Sequence, residues 1–131
     1  MYKINNGNEF YSDETFRFWD YKVSHDVLLL RSNNDDENLD IVFFGVFYFN
    51  SITMFKTLKI MEGNKTDYSN LTRFITHKNE KVFELYSGNE KFIIGSLGFS
   101  VHVNNLDFTK SSIRGEKSGL LIYSSNRKII H

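Results

Sequence analysis

Few residue types in this chain stand at spacings that do chemistry. Four histidines and sixteen carboxylates are spread over 131 residues, and there is no cysteine. Without thiols there is no disulfide, no thiolate metal site and no Cys nucleophile. Ser24-His25-Asp26 holds the three types of a hydrolytic triad. Triad members converge from separate positions, however, whereas neighbours on one strand point apart, so the tripeptide reads as a polar hairpin tip. Gly95-Ser96-Leu97-Gly98 fails the Gly-x-Ser-x-Gly spacing of a nucleophile elbow. Phosphate loops, dinucleotide fingerprints and His-x-His or His-Glu-x-x-His pairs are also missing. His102 is the remaining acid–base candidate. It lies on the polar side of an alternating strand, with Ser100 and Asn104, close in sequence to Asp107. Glu84, on the less apolar side of a hairpin, is the second candidate.

Other residues suit recognition better than catalysis. Asp35, Asp36 and Glu37 form an acidic loop tip. As a calcium loop it lacks the sixth-position Gly, and its twelfth position is Phe44, so no metal is expected. No cofactor is expected either. Residues 1–40 hold nine acids and four bases, an excess of −5 that suits a basic protein partner. Trp19, Tyr21 and Tyr48 are of the types enriched at binding hot spots. The same rings also fit a core, and for Trp19 burial is the simpler expectation. Residues 66–131 carry nine bases against six acids, with Lys110, Arg114, Lys117, Arg127 and Lys128 near the end. That density falls short of a nucleic-acid stripe.

The elements that must hold these residues read as short strands. Thirteen Phe and seven Tyr, with no Ala, Pro or Gln, favour pleated surfaces over helices. The run Leu39–Phe49 is apolar on both period-two faces, as in a central strand covered on each side. It is too short to span a bilayer as a helix. Thr15–Val23 and Asp26–Ser32 form a hairpin about Ser24-His25, with Trp19 expected opposite Leu30 and Tyr21 opposite Leu28. Lys81–Ser87 and Glu90–Leu97 flank the favourable turn Gly88-Asn89, which pairs Leu85 with Phe92 and Phe83 with Ile94. Phe99, Val101 and Val103 alternate along another strand, and Gly119–Tyr123 reads as the last. Tyr68, Leu71, Phe74 and Ile75 recur at helical spacing behind a Thr66 or Asp67 cap. That helix is expected to plug an open end or cover the central strand. Residues 1–14 are polar and expected to attach loosely.

The expected fold is therefore a single β-rich α+β domain: a strongly curved antiparallel sheet, a partly open barrel or a two-sheet roll, of seven or eight short strands and one short helix. The expected role is a small cytosolic protein-interaction module without catalysis. One concrete form is an immunity-type inhibitor from a low-GC bacterium, since the absence of Ala, Pro, Gln and Cys beside abundant Asn, Lys, Ile and Phe suits the codon bias of an AT-rich genome. The alternatives are a small-molecule or enzymatic pocket near His102 and weak nucleic-acid binding through the basic tail. Another protein is the expected partner, with a second copy of the chain left open and no membrane role.

Overall fold

A computed structural model describes residues 2–5, 9–33, 36–74, 78–107, 109–114 and 119–126. The fold is the expected β-rich one, built as two curled antiparallel sheets with no closed barrel. Among the described residues the strands number twelve, more than the sequence pattern suggested. Sheet I joins β1 (Tyr2–Asn5), β2 (Glu9–Ser12), β8 (Leu58–Glu62), β9 (Lys81–Ser87), β10 (Glu90–Ser96) and β6 (Tyr48–Asn50), in that order. Sheet II joins β12 (Leu120–Ser124), β11 (Gly98–Asn104), β5 (Asn38–Phe44), β4 (Val27–Asn33), β3 (Phe16–Lys22) and β7 (Met54–Phe55). The stretch expected to attach loosely thus contains two paired strands, and Phe10 of β2 is wholly buried.

Period-two alternation turns one face of each sheet inward. Phe10, Leu58, Ile60, Phe83, Leu85 and Ile94 of sheet I meet Phe16, Leu28, Leu30, Ile41, Phe43, Phe99 and Val101 of sheet II. Phe43 sits at the centre, with its ring centroid 5.2 Å from Phe99 and 6.0 Å from Phe83. Removing so much aromatic and aliphatic surface from water is what holds the two sheets together.

The Leu39–Phe49 run is not one strand. It leaves sheet II at Phe44, turns at Gly45 (φ 63°) and enters sheet I at Tyr48. A left-handed backbone there is cheap only for glycine. Phe47 then lays its ring on Gly95, where any Cβ would collide with it. The two faces of β5 are covered as its composition requires, but not by a helix. Lys65–Phe74 is a 3₁₀ segment kinked at Tyr68 (φ −122°, ψ 40°), and it packs Tyr68 and Leu71 on Val82 and Ile93 of sheet I. Its start is capped by Asn64, whose Oδ1 accepts from the Thr66 N–H and hydroxyl, rather than by Thr66 or Asp67. Residues 75–77, expected to finish this helix, lie outside the described residues. No described helix is long and apolar enough to cross a membrane.

Candidate functional site

The outer face of sheet II carries the densest polar chemistry. Three rungs cross it. The first is Asn33–Asn38–Asn104. The second is Met54–Arg17–Arg31–Asp40–His102–Leu121. The third is Asp20–Leu29–Val42–Ser100–Ser124. The link between β11 and β12 folds over these rungs like a strap, through its described parts 105–107 and 109–114.

At the centre lies a buried ion pair. Arg31 Nε and Nη2 donate to Asp40 Oδ1 and Oδ2 at 2.6 and 2.9 Å, with both side chains fully inaccessible. The fork geometry satisfies both carboxylate oxygens at once. Arg31 Nη1 donates to the Lys110 carbonyl of the strap at 2.7 Å. Asn104 Nδ2 donates to Asp40 Oδ2 at 2.7 Å, and Asn38 Nδ2 donates both to Asn104 Oδ1 and to the Leu106 carbonyl at 2.9 Å. Asn33 Nδ2 completes the ladder by donating to Asn38 Oδ1 at 2.6 Å. Charges this deep persist only when paired and fully hydrogen-bonded, so the network fixes where the strap lies. A second fork closes it from the side: Arg114 Nε and Nη2 donate to Asp20 at 2.6 and 2.9 Å. The Arg114 bond holds the Asp20 carboxyl below the ordinary carboxylate range, against partial burial, which pushes it up.

Trp19 reaches this face through a β-bulge. The register that pairs Tyr21 with Leu28, as expected, slips between Phe18 and Asp20, so Phe18 and not Trp19 stands opposite Leu30. Two consecutive residues, Trp19 and Asp20, consequently face outward. Trp19 is half-buried outside the core, with the Arg31 guanidinium 5.5 Å from its ring centroid. A cleft of about 640 Å³ opens beside it, lined by Thr15, Arg17, Trp19, Arg31, Asn33, Met54 and Lys56.

The slip also separates Trp19 from Tyr21, which the alternation placed on one face. Tyr21 stays on the inner side at the sheet margin. Its ring lies 5.8 Å from that of the exposed Phe49, and its hydroxyl donates to Asp26 Oδ1 at 3.2 Å. Burial, then Asp26, raises its pKa. Tyr21 and Tyr48 share a different cleft with Asp26, Val46, Phe47 and Glu80. The aromatic patch expected from Trp19, Tyr21 and Tyr48 is thus two surfaces.

The catalytic candidates do not meet. His102 faces outward from sheet II, and Ser100 Oγ lies 2.8 Å from its Nε2. Its Nδ1 is buried without a partner among the described residues, as is Ser112 Oγ of the strap. Burial lowers the His102 pKa, and Asp40 opposes this. Glu84 faces outward from sheet I, across the core. It accepts from the Tyr68 and Tyr86 hydroxyls, with Lys91 Nζ 3.8 Å away. Burial alone would raise its pKa; the two hydroxyls and Lys91 outweigh that and hold it below the ordinary value. Burial and the same bond hold the Tyr68 phenol well above its usual value. Glu84 is therefore a satisfied acceptor that anchors the 3₁₀ segment. His102 lines neither the Trp19 cleft nor the Tyr21–Tyr48 cleft.

Asp36 and Glu37 are exposed at the β4–β5 tip, whereas Asp35 lies outside the described residues. Ser24, His25 and Asp26 occupy an exposed 3₁₀ turn, with Asp26 left-handed at φ 52°. Of the basic residues near the end, Lys117, Arg127 and Lys128 lie outside the described residues, and Arg114 is engaged by Asp20. Among the described residues no three His, Asp or Glu side chains converge as metal ligands.

The Arg31–Asp40 pair was absent from the expectations, although the sequence carries a signal for it. Arg31 and Asp40 stand at equal distances from the centre of the polar loop, as do Asn33 and Asn38, so a hairpin closed by that loop must place them opposite. An Arg and an Asp facing each other inside two apolar strands mark a buried pair. No family model, curated protein or solved structure matches the chain. Geometry and charge therefore carry the functional reading.

Proposed function

We propose that the protein is a non-catalytic module that docks on another protein through the outer face of sheet II, around Trp19. The observation that carries this reading is the β3 bulge, which turns the chain's one Trp out of the core and sets it beside Arg17 and Arg31 in an open cleft. Trp and Arg in a partly desolvated setting are the residue types that dominate binding energy at interfaces. The inter-sheet space, in contrast, is filled by side chains that are almost wholly inaccessible, which favours a docking surface over an internal ligand cavity.

A cytosolic setting and a toxin-like partner neutralised by an immunity-type inhibitor are finer parts of the same proposal. Cell fractionation tests the first, and the identity of the neighbouring genes tests the second. The docking itself is tested by placing a photo-crosslinking amino acid at Thr15, on the cleft rim, and at Asn89, on the distant β9–β10 turn, in the full chain expressed in its source cells. A single discrete polypeptide adduct from position 15 and none from position 89 is the expected result. Equal labelling from both positions, or none from position 15, overturns the reading.

A further inference from the structure

The cleft beside Trp19 has an unbalanced charge that points to the chemistry of its occupant. Among the described residues its lining holds Arg17, Arg31 and Lys56 and no carboxylate. Arg17 stands directly opposite Arg31 across β3 and β4. Like charges facing each other across a sheet repel. Arg31 is neutralised by Asp40, but Asp40 lies on the far side of it from Arg17, on β5. Arg17 and Lys56 are exposed and make no ion pair among the described residues. The register of β7, β3 and β4 sets Arg17 beside Arg31 and Met54, Lys56 follows β7 directly, and the described lining holds no counter-charge. Trp19 and Met54 supply apolar surface to the same lining.

We infer that this cleft binds an acidic segment of a partner protein, with carboxylates on Arg17 and Lys56 and an apolar or aromatic side chain on Trp19 and Met54. The inference rests on the proposed docking through this face and names the chemistry of the partner. It also reverses the expectation from composition, in which the acidic tip of this chain sought a basic partner. A guanidinium takes a carboxylate or a phosphate equally well by its fork geometry. The protein segment is favoured for two reasons. The cationic groups are side chains on and beside neighbouring strands, whereas phosphate sites are usually built from backbone N–H groups at glycine-rich turns or helix starts. The cleft is also open along the sheet, unlike pockets that enclose most of a small ligand.

The sole Trp sits in the cleft, so its fluorescence reports occupancy directly. The probe is a short acetylated peptide of Asp and Glu with one central Phe, compared with its Asn/Gln counterpart. The acidic peptide should bind the full chain about tenfold more tightly or better, and its affinity should fall as salt rises. The double variant Arg17→Glu/Lys56→Glu should lose that binding while keeping the wild-type circular dichroism spectrum, because both side chains are exposed. The charge-matched variant Lys3→Glu/Lys78→Glu, remote from the cleft, should keep it. Equal binding of the Asn/Gln peptide overturns the inference, and so does equal loss in the charge-matched variant. Displacement of the acidic peptide by adenosine monophosphate, inorganic phosphate or a single-stranded oligonucleotide at lower concentration also overturns it, in favour of a phosphate ligand. A partner that crosslinks at position 15 with no dependence on salt or on Arg17 and Lys56 would defeat this inference and leave the docking reading standing. Failure of the crosslink itself would defeat the docking reading.

Discussion

Replacing Asp40 with Ala tests the centre of the outer face. The substitution takes the paired carboxylate from the buried Arg31 guanidinium, and it removes three hydrogen bonds, two from Arg31 and one from Asn104. Bonds to charged groups contribute about 1.5–3 kcal/mol each, so the three together set an upper bound well above 4 kcal/mol. Relaxation reduces the loss, because Arg31 Nη1 keeps the Lys110 carbonyl. Breaking a buried pair by removing one partner costs about 3–5 kcal/mol, and that is the loss expected here. A domain of ordinary stability has about 5–15 kcal/mol in all, so the variant should lie close to its threshold. Equilibrium urea unfolding followed by Trp19 fluorescence measures it, since the indole sits against the Arg31 guanidinium. The double variant Arg31→Met/Asp40→Leu removes both charges and should recover most of the loss, to within about 1 kcal/mol of wild type. A loss below about 1 kcal/mol for Asp40→Ala would refute the reasoning, as would a double variant no better than the single one.

Three further outcomes are expected. Phe43→Ala should cost about 3–5 kcal/mol in urea unfolding, because its ring is wholly inaccessible and contacts Phe83 and Phe99. Gly45→Ala should cost at least about 1–2 kcal/mol, read by the same assay, from left-handed strain plus a Cβ that would stand 2.6 Å from Leu97 Cγ and Cδ1. The third concerns acid. With a folded pKa below its ordinary 3.8, Asp20 contributes stability above that pH and loses it as pH falls through the folded value. Arg114→Ala should therefore flatten the acid limb of the stability profile, and it should speed amide exchange in the strap around Ser111 at neutral pH.

Local rules reached some of this architecture and missed the parts on which the proposed docking rests. The β9–β10 hairpin was legible because Gly88-Asn89 fixes a two-residue turn and alternation then leaves one register. The outward setting of Ser100, His102 and Asn104 followed from alternation in the same way. The bulge at Trp19 was not legible. Phe18, Trp19 and Asp20 read as ordinary strand, and only the fit of Phe18 and Tyr21 into the core, with Asp20 held by Arg114, selects the slip. The break at Gly45 was visible as a glycine inside a strand, but the change of sheet depends on what β10 offers to Tyr48 and Phe49. For the charged residues, composition favoured the exposed acidic tip, because buried charge is rare and one strand considered alone shows no partner.

The passage of the chain from β5 to β6 through Gly45 also sets the order in which the molecule can assemble. The β3–β4–β5 meander and the β9–β10 hairpin close locally, on the microsecond scale of hairpins. Neither sheet can be completed from one continuous stretch of chain. Sheet II needs β11 to return to β5, bringing together Asn38 and Asn104 across a separation of 66 residues. Sheet I must in turn admit β6 from the segment that has just left sheet II. Loop-closure entropy must be met before those contacts form, so folding belongs with the slow, high-contact-order β proteins, in milliseconds to seconds. Until that closure, β5 stands with its Phe-rich edge unpaired. The nascent chain is then at its most vulnerable to aggregation.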